Sequence, residues 1–254
     1  MGSTDAATRA RSLTRAAALA GTPCPGRHGR SVRRVATCAA VSPEELGQLS
    51  ASGVVKKLRA NEVLFLEGEP AACVFILKSG VLKRYKQLRD GRQQVTGFAF
   101  SGDLVGLCVR ESHLVTAEAV TEATVCAVPR ARMRGLITAS PELEERLLTV
   151  VSHELTLAQD QLLLLGHRTA AERLACFLLL LSHRAAERGQ PTNPLPLPMS
   201  RSDIGDYLGL TMETVSRGLT RLARDGVIRL MGPHLVELRR RDVLGAMSEG
   251  GSVS

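Results

Sequence analysis

Glu213, Ser216 and Arg217 stand at i, i+3 and i+4 in the string TMETVSRGLTRLARDG, so on a helix a carboxylate, a hydroxyl and a guanidinium project from one side. Such a set can read base edges. A guanidinium can take guanine O6 and N7 together, and a carboxylate can accept from cytosine N4. An isolated Glu/Arg pair on a surface helix would contribute only about a few tenths of a kcal/mol and need do nothing else. The surrounding residues therefore decide which meaning applies.

Those surroundings predict two short helices joined by a tight turn. Ser200 is a good N-cap, with Asp203 adding negative charge at the helix start. Ile204, Tyr207 and Leu208 face inward, and Gly209 breaks the helix because glycine tolerates a left-handed backbone. Thr211 caps the second helix, whose apolar positions Val215, Leu219 and Leu222 recur at helical spacing. Past Gly226, VIRLMGPHLVELRR alternates around Gly232-Pro233 and predicts a β hairpin. Arg201, Thr211, Arg221, Arg224, Arg229 and His234 are candidate phosphate contacts, which add affinity but little sequence choice.

The segment RSDIGDYLGLTMETVSRGLTRLARDGVI resembles the helix-turn-helix signature of the Crp/Fnr family of bacterial transcription regulators. It is most similar to the Fnr and FixK branch, whose Glu-x-x-Ser-Arg triplet is matched by Glu213, Ser216 and Arg217. The resemblance covers roughly residues 38 to 247 and implies an α+β chain. Its parts would be a basic tail (1–40), a β-roll, jelly-roll-like sensor domain (41–140), a dimerisation helix (141–168) and a winged helix-turn-helix (169–254). It further implies a homodimer on a TTGAT-N4-ATCAA-like palindrome, with Arg217 on the guanine. Contact with RNA polymerase, activation more than repression, and oxygen- or nitrogen-related gene control come from the resemblance alone.

Composition agrees. The chain has 254 residues, a formal net charge of +8 and 44% apolar content, which suits an aliphatic core and a polyanionic partner. The apolar runs are far too short to span a membrane, and six cysteines without disulfide-scaffold spacing point to a reducing cytoplasm. Residues 1 to about 37, with Asp5 the only acid, predict an untargeted mobile tail. A short helix begins at Pro43, capped by Ser42 with Glu45.

From Val54 to about Val128, short apolar runs divided by turn signals predict the β-roll, with Asp90-Gly91 as a hairpin turn. Relatives that bind a cyclic nucleotide place an acid after a glycine and an arginine beside Ser or Thr. Here Leu107 follows Gly106 and Val115 precedes Thr116, while Arg110 falls in a loop, so cyclic nucleotide binding is not expected. Oxygen-sensing Fnr proteins hold an iron-sulfur cluster on four cysteines. Cys38 and Cys126 match two of those positions and Cys24 is a distant third, leaving the fourth ligand unplaced. The expectation is no cofactor, with Cys38 and Cys126 small buried hydrophobes and Cys73, Cys108 and Cys176 in the core.

Leu148, Val151, Leu155, Ala158, Leu162 and Leu165 advance in steps of three and four, a heptad seam that predicts self-association. In oxygen-sensing relatives a charged residue tends to stand at the position of Ala158. Alanine there predicts a dimer that needs no cofactor. Thr169 to Arg188 forms the next helix, with Leu174, Phe177, Leu178 and Leu181 buried, and PTNPLPLP is a stiff connector. No nucleophile elbow, phosphate-loop lysine or paired-histidine metal motif is present, so no enzyme is expected. Two alternatives stand beside the FixK-like regulator: an oxygen-sensing iron-sulfur Fnr-type regulator, and an effector-binding module with no DNA role.

Overall fold

A computed structural model describes residues 53–108 and 110–249. The described residues form two compact units, 53–86 with Phe98–Val150 and Gln87–Gly97 with 151–249. The helix expected from Pro43, and Cys24 and Cys38, lie outside the described residues.

The β-roll is built on β1 (Val54–Leu58), β2 (Val63–Phe65), β3 (Cys73–Ser79), β4 (Leu82–Gln87), β5 (Gln93–Ala99), β6 (Leu104–Val105), β7 (Thr116–Ala119) and β8 (Ala123–Pro129), of which the hairpin segment Gln87–Gly97 is grouped with the second unit. They form two four-stranded sheets, β1-β8-β3-β6 and β2-β7-β4-β5. The hairpin turn expected at Asp90-Gly91 joins β4 to β5. Gly91 takes φ +85°, Leu88 N–H donates to the Arg92 carbonyl at 2.8 Å, and Arg92 pairs with Asp90.

Alternation along β3 and β8 explains the layering. Phe75, Leu77, Val125 and Ala127 belong to one core cluster, with Leu64, Leu82, Ala117 and Ala119. Val74, Ile76, Cys126 and Val128 lie in a second cluster, packed against Met133, Leu143 and Leu147. Strands buried on both faces read as continuous apolar runs, which is what CVFIL and VCAV are. The covering residues come from α1 (Arg130–Ala139) and the start of α2 (Pro141–His167).

Two stripes run along α2. Leu143 and Leu147 are buried, whereas Leu148, Val151, Leu155 and Leu162 are 62%, 51%, 59% and 71% exposed, with Ala158 on the same open side. The heptad positions thus face away from their own chain. Leu165 departs from the stripe. It is half-buried, and its Cδ2 lies 3.2 Å from where a Cβ on Gly209 would stand. A straight helix turns a strict heptad row by about 20° per heptad, about 40° from Val151 to Leu165.

The second unit holds the rest of α2, then α3 (Ala170–Glu187), β9 (Leu195–Pro196), α4 (Arg201–Leu208), α5 (Met212–Arg224), β10 (Ile228–Leu230), β11 (Leu235–Leu238) and α6 (Arg241–Ser248). Thr169 caps α3 through a capping box with Glu172, and Leu174, Phe177, Leu178 and Leu181 are buried as expected. The expected hairpin β10–β11 gains a third strand. PTNPLPLP is no bare connector: Leu195 pairs with Val236 in the sheet, and Leu195, Leu197 and Met199 are all buried. The period-two spacing of these three residues is a strand signal, which the prolines obscure.

Candidate nucleic-acid interface

Local chemistry sets both helices of the helix-turn-helix. Ser200 Oγ accepts from Asp203 N–H at 3.0 Å while the Asp203 carboxylate accepts from Ser200 N–H at 3.0 Å, so two orphan donors of α4 are satisfied reciprocally. Gly209 ends α4 in the left-handed conformation, φ +62° and ψ 40°. Gly205 allows the chain to fold back so closely. A Cβ there would lie 2.6 Å from the Leu210 carbonyl oxygen, a backbone atom that cannot move aside alone. Thr211 then caps α5 by accepting from Thr214 N–H at 3.2 Å.

Burial orients α5. Val215, Leu219 and Leu222 are buried, and Gly218 sits so near α3 that a Cβ would come within 2.3 Å of Leu174 Cδ1. The opposite side, with Glu213, Ser216, Arg217, Thr220, Arg221 and Arg224, is exposed. The structure thus brings the three sequence-predicted base-reading residues onto one open face. Glu213's own backbone N–H and then the Thr211 hydroxyl hold its carboxyl below the usual range, with Arg217 adding to the effect. It is therefore an ionised acceptor at neutral pH.

The candidate phosphate contacts fall into two groups. Arg221 and Arg224 flank Asp225, with guanidinium nitrogens at 3.7 and 3.4 Å, and both side chains are about three-quarters exposed. Arg229 lies on the wing within 4.0 Å of Glu237. These are loose surface pairs that a phosphate can displace. Arg201 differs. Its Nη2 donates to the Pro233 carbonyl at 3.3 Å, tying α4 to the wing turn, and its Nη1 is buried without a hydrogen-bond partner among the described residues. Thr211 serves α5 as its cap, and His234 Nδ1 lies 3.1 Å from the Leu197 carbonyl.

Sequence reasoning missed Arg173. From α3 its Nη1 donates to the Leu208 carbonyl at 2.8 Å, its Nη2 to Leu165 at 2.9 Å and its Nε to Arg168 at 2.9 Å. One guanidinium thus satisfies orphan carbonyls at the ends of α2 and α4. Gln161 adds a bond to the Tyr207 carbonyl at 3.3 Å, and the Tyr207 ring packs on Phe177. An arginine in the first turn of an amphipathic helix carries no sequence signal for this role.

In the β-roll, Gly106 has φ +80°, and a Cβ there would meet His113, Phe65 and Phe75 at 3.1 to 3.4 Å. His113 stacks on Phe65 with ring centroids 3.6 Å apart. Burial pulls its pKa down to about 4, with Arg130 assisting and Glu69 opposing. A neutral aromatic cluster stands beside Gly106, and Leu107 and Val115 supply no charge, so these residues do not fit a cyclic phosphate. Cys126 is fully buried, packed among Val74, Ile76, Met133 and Leu143, the setting of a core hydrophobe. Cys73 is buried too, but Cys108 and Cys176 are only half-buried. The Cys108 thiol bonds to loop carbonyls and the Cys176 sulfur accepts from Arg168, polar settings that the apolar strings did not foretell. Among the described residues, no group of histidine, cysteine or acidic side chains has metal-binding geometry, and no helix is long and apolar enough to cross a membrane.

Comparison with known proteins agrees with this geometry. Residues 55–140 match the cyclic nucleotide-binding domain family and residues 172–247 the Crp-like helix-turn-helix domain. The chain is 36% identical over 218 residues to the nitrogen fixation regulation protein FixK of Bradyrhizobium diazoefficiens, covering 85% of this chain and 92% of that one. It is 38% identical over 198 residues to the transcriptional activator protein FnrA of Stutzerimonas stutzeri, covering 77% and 80%. Among solved structures, FixK2 of Bradyrhizobium japonicum superposes with a TM-score of 0.73 at 36% identity, over 80% of this chain and 98% of that one. These relatives are regulators, not enzymes. The chain belongs to the Crp/Fnr family of DNA-binding transcription regulators.

Proposed function

We propose that this chain is a FixK-like regulator, mainly an activator, that binds a TTGAT-N4-ATCAA-like palindrome as a homodimer. The carrying observation is that Glu213, Ser216 and Arg217 share the open face of α5 while its other side is buried. Arg217 takes the guanine, Glu213 accepts from a cytosine and Ser216 contacts the neighbouring base. Arg221, Arg224 and Arg229 bind phosphates. Thr211 can join them through its capped helix start, and Arg201 contributes chiefly by holding the wing. The exposed stripe of Leu148, Val151, Leu155, Ala158 and Leu162 is the seam between two copies, with Leu165 at its margin. We divide the chain functionally as sensor 41–140, dimer helix 141–168 and DNA-binding domain 169–254, after a tail of 1–40.

No cofactor is needed in this reading. Alanine at 158 puts no charge on the seam, and the buried Cys126 would have to leave its core to ligate iron. RNA polymerase is the downstream partner, and control of oxygen- or nitrogen-related genes follows from likeness to FixK and FnrA. Metal-assayed protein titrated onto the palindrome and a scrambled duplex at one salt concentration tests the reading. Selective binding without iron is expected, and Arg217→Ala should cost about 1–3 kcal/mol and relax selection at the guanine. Equal loss on specific and scrambled DNA would reduce Arg217 to a phosphate contact. Selectivity that appears only after anaerobic iron reconstitution would favour the cluster.

A further inference from the structure

The end of α4 fixes where α5 starts, because only Gly209, Leu210 and Thr211 separate them. A helix leaves its last four carbonyls without helical partners. In α4 the Gly205 carbonyl accepts from Gly209 and Leu210 within the turn. The other three are met by side chains from three separate elements. Gln94 on β5 donates from Nε2 to the Asp206 carbonyl at 2.6 Å. Gln161 on α2 donates to Tyr207 at 3.3 Å, and Arg173 on α3 donates to Leu208 at 2.8 Å. Gln94 stands 112 residues before Asp206, in the hairpin segment Gln87–Gly97 that is grouped with the second unit.

Two amide groups close the arrangement. Gln94 Nε2 also donates to the Val95 carbonyl at 3.2 Å, and Gln161 Nε2 donates to that same carbonyl at 3.2 Å. A primary amide carries two N–H donors on one nitrogen, so each glutamine bridges Val95 to one carbonyl of α4. The hairpin, α2 and α4 thus meet at one joint. From Gly97 the chain runs on into Phe98, Ala99 and Phe100, which are buried. We propose that Gln94 is a positioning residue for DNA binding. Through the Asp206 carbonyl it sets the end of α4, and through the short turn it sets the placement of α5. The 87–97 hairpin is then a working part of the DNA-binding unit. This rests on the reading of α5 as the groove-entering helix.

Reversing the donor tests the joint. Gln94→Glu keeps the shape but turns a carboxylate toward two carbonyls that it cannot bond, whereas Gln94→Lys keeps donors on a similar reach. Full-length wild type and both variants are titrated onto the palindrome and a scrambled duplex at one salt concentration. Amide hydrogen exchange over residues 205–214 is followed without DNA. Gln94→Glu should lose about tenfold in its preference for the palindrome, and exchange over 205–214 should quicken. Its helical circular dichroism and the exchange of α3 and α6 should not change. Gln94→Lys should keep the preference and the slow exchange of wild type; the ratio of the two affinities cancels the general pull of an added charge on DNA. Wild-type preference in Gln94→Glu overturns the proposal, even where exchange quickens, because Gln94 is then a structural contact only. An equal loss of preference in Gln94→Glu and Gln94→Lys overturns it too. Wild-type protein that does not prefer the palindrome would refute the reading of α5, whereas exchange over 205–214 that ignores Gln94→Glu would refute the joint alone.

Discussion

Arg173 should govern DNA binding by holding the ends of α2 and α4 in place. The substitution Arg173→Met keeps the apolar stem and removes the guanidinium. The carbonyls of Leu165, Arg168 and Leu208 then lose donors at 2.9, 2.9 and 2.8 Å. A hydrogen bond from a charged donor contributes about 1.5–3 kcal/mol, but the three act as a unit and partly exposed carbonyls regain water. The expected cost is therefore about 2–4 kcal/mol, weighted toward Leu208, which is fully buried. Urea unfolding followed by circular dichroism reads the loss of stability, and a palindrome titration reads its effect on α5. Arg173→Lys should recover little, because an ammonium cannot reach three diverging carbonyls from one stem. A midpoint within about 0.5 kcal/mol of wild type in Arg173→Met, with unchanged affinity, would show that water replaces the clamp and that the reasoning is wrong.

Two further perturbations follow. Leu155 is 59% exposed on the proposed seam, so Leu155→Glu should give monomers by light scattering at micromolar concentration and weaken palindrome binding, with the helical circular dichroism signal retained and an unfolding midpoint that no longer rises with protein concentration; a persistent dimer would move the interface elsewhere. His113 has a pKa of about 4 when folded and about 6.5 when unfolded, so the unfolded chain binds more protons between these values. Its contribution to roll stability should be complete above about pH 6.5 and lost as pH falls toward 4. His113→Phe should flatten that slope in urea midpoints measured at pH 7.5 and pH 5; identical slopes would assign the pH dependence to other groups.

The helix-turn-helix was legible because its signals are local. A cap at Ser200, a left-handed glycine at 209, apolar residues at helical spacing and the Glu213, Ser216, Arg217 set all act within a few residues of one another. The Asp90-Gly91 turn and the α2 heptads are local in the same sense. Nonlocal features were not legible. The pairing of Leu195 with Val236 joins segments about 40 residues apart, and prolines hid the alternation that announces it. Cys108 and Cys176 sit in apolar strings, yet their exposure depends on what packs over them.

By itself, the sequence determined which residues could read a base edge, where α5 begins and which side of it is apolar. Periodicity, capping and glycine conformation are properties of the chain over one or two turns. Only the tertiary structure decided that Arg201 turns to the wing, that Leu165 leaves the heptad row and that Arg173 holds the ends of α2 and α4. Long cationic side chains take whichever carbonyl or phosphate the fold brings within reach, and a helix of 3.6 residues per turn carries a heptad row around its axis. Neither outcome is written in residue type.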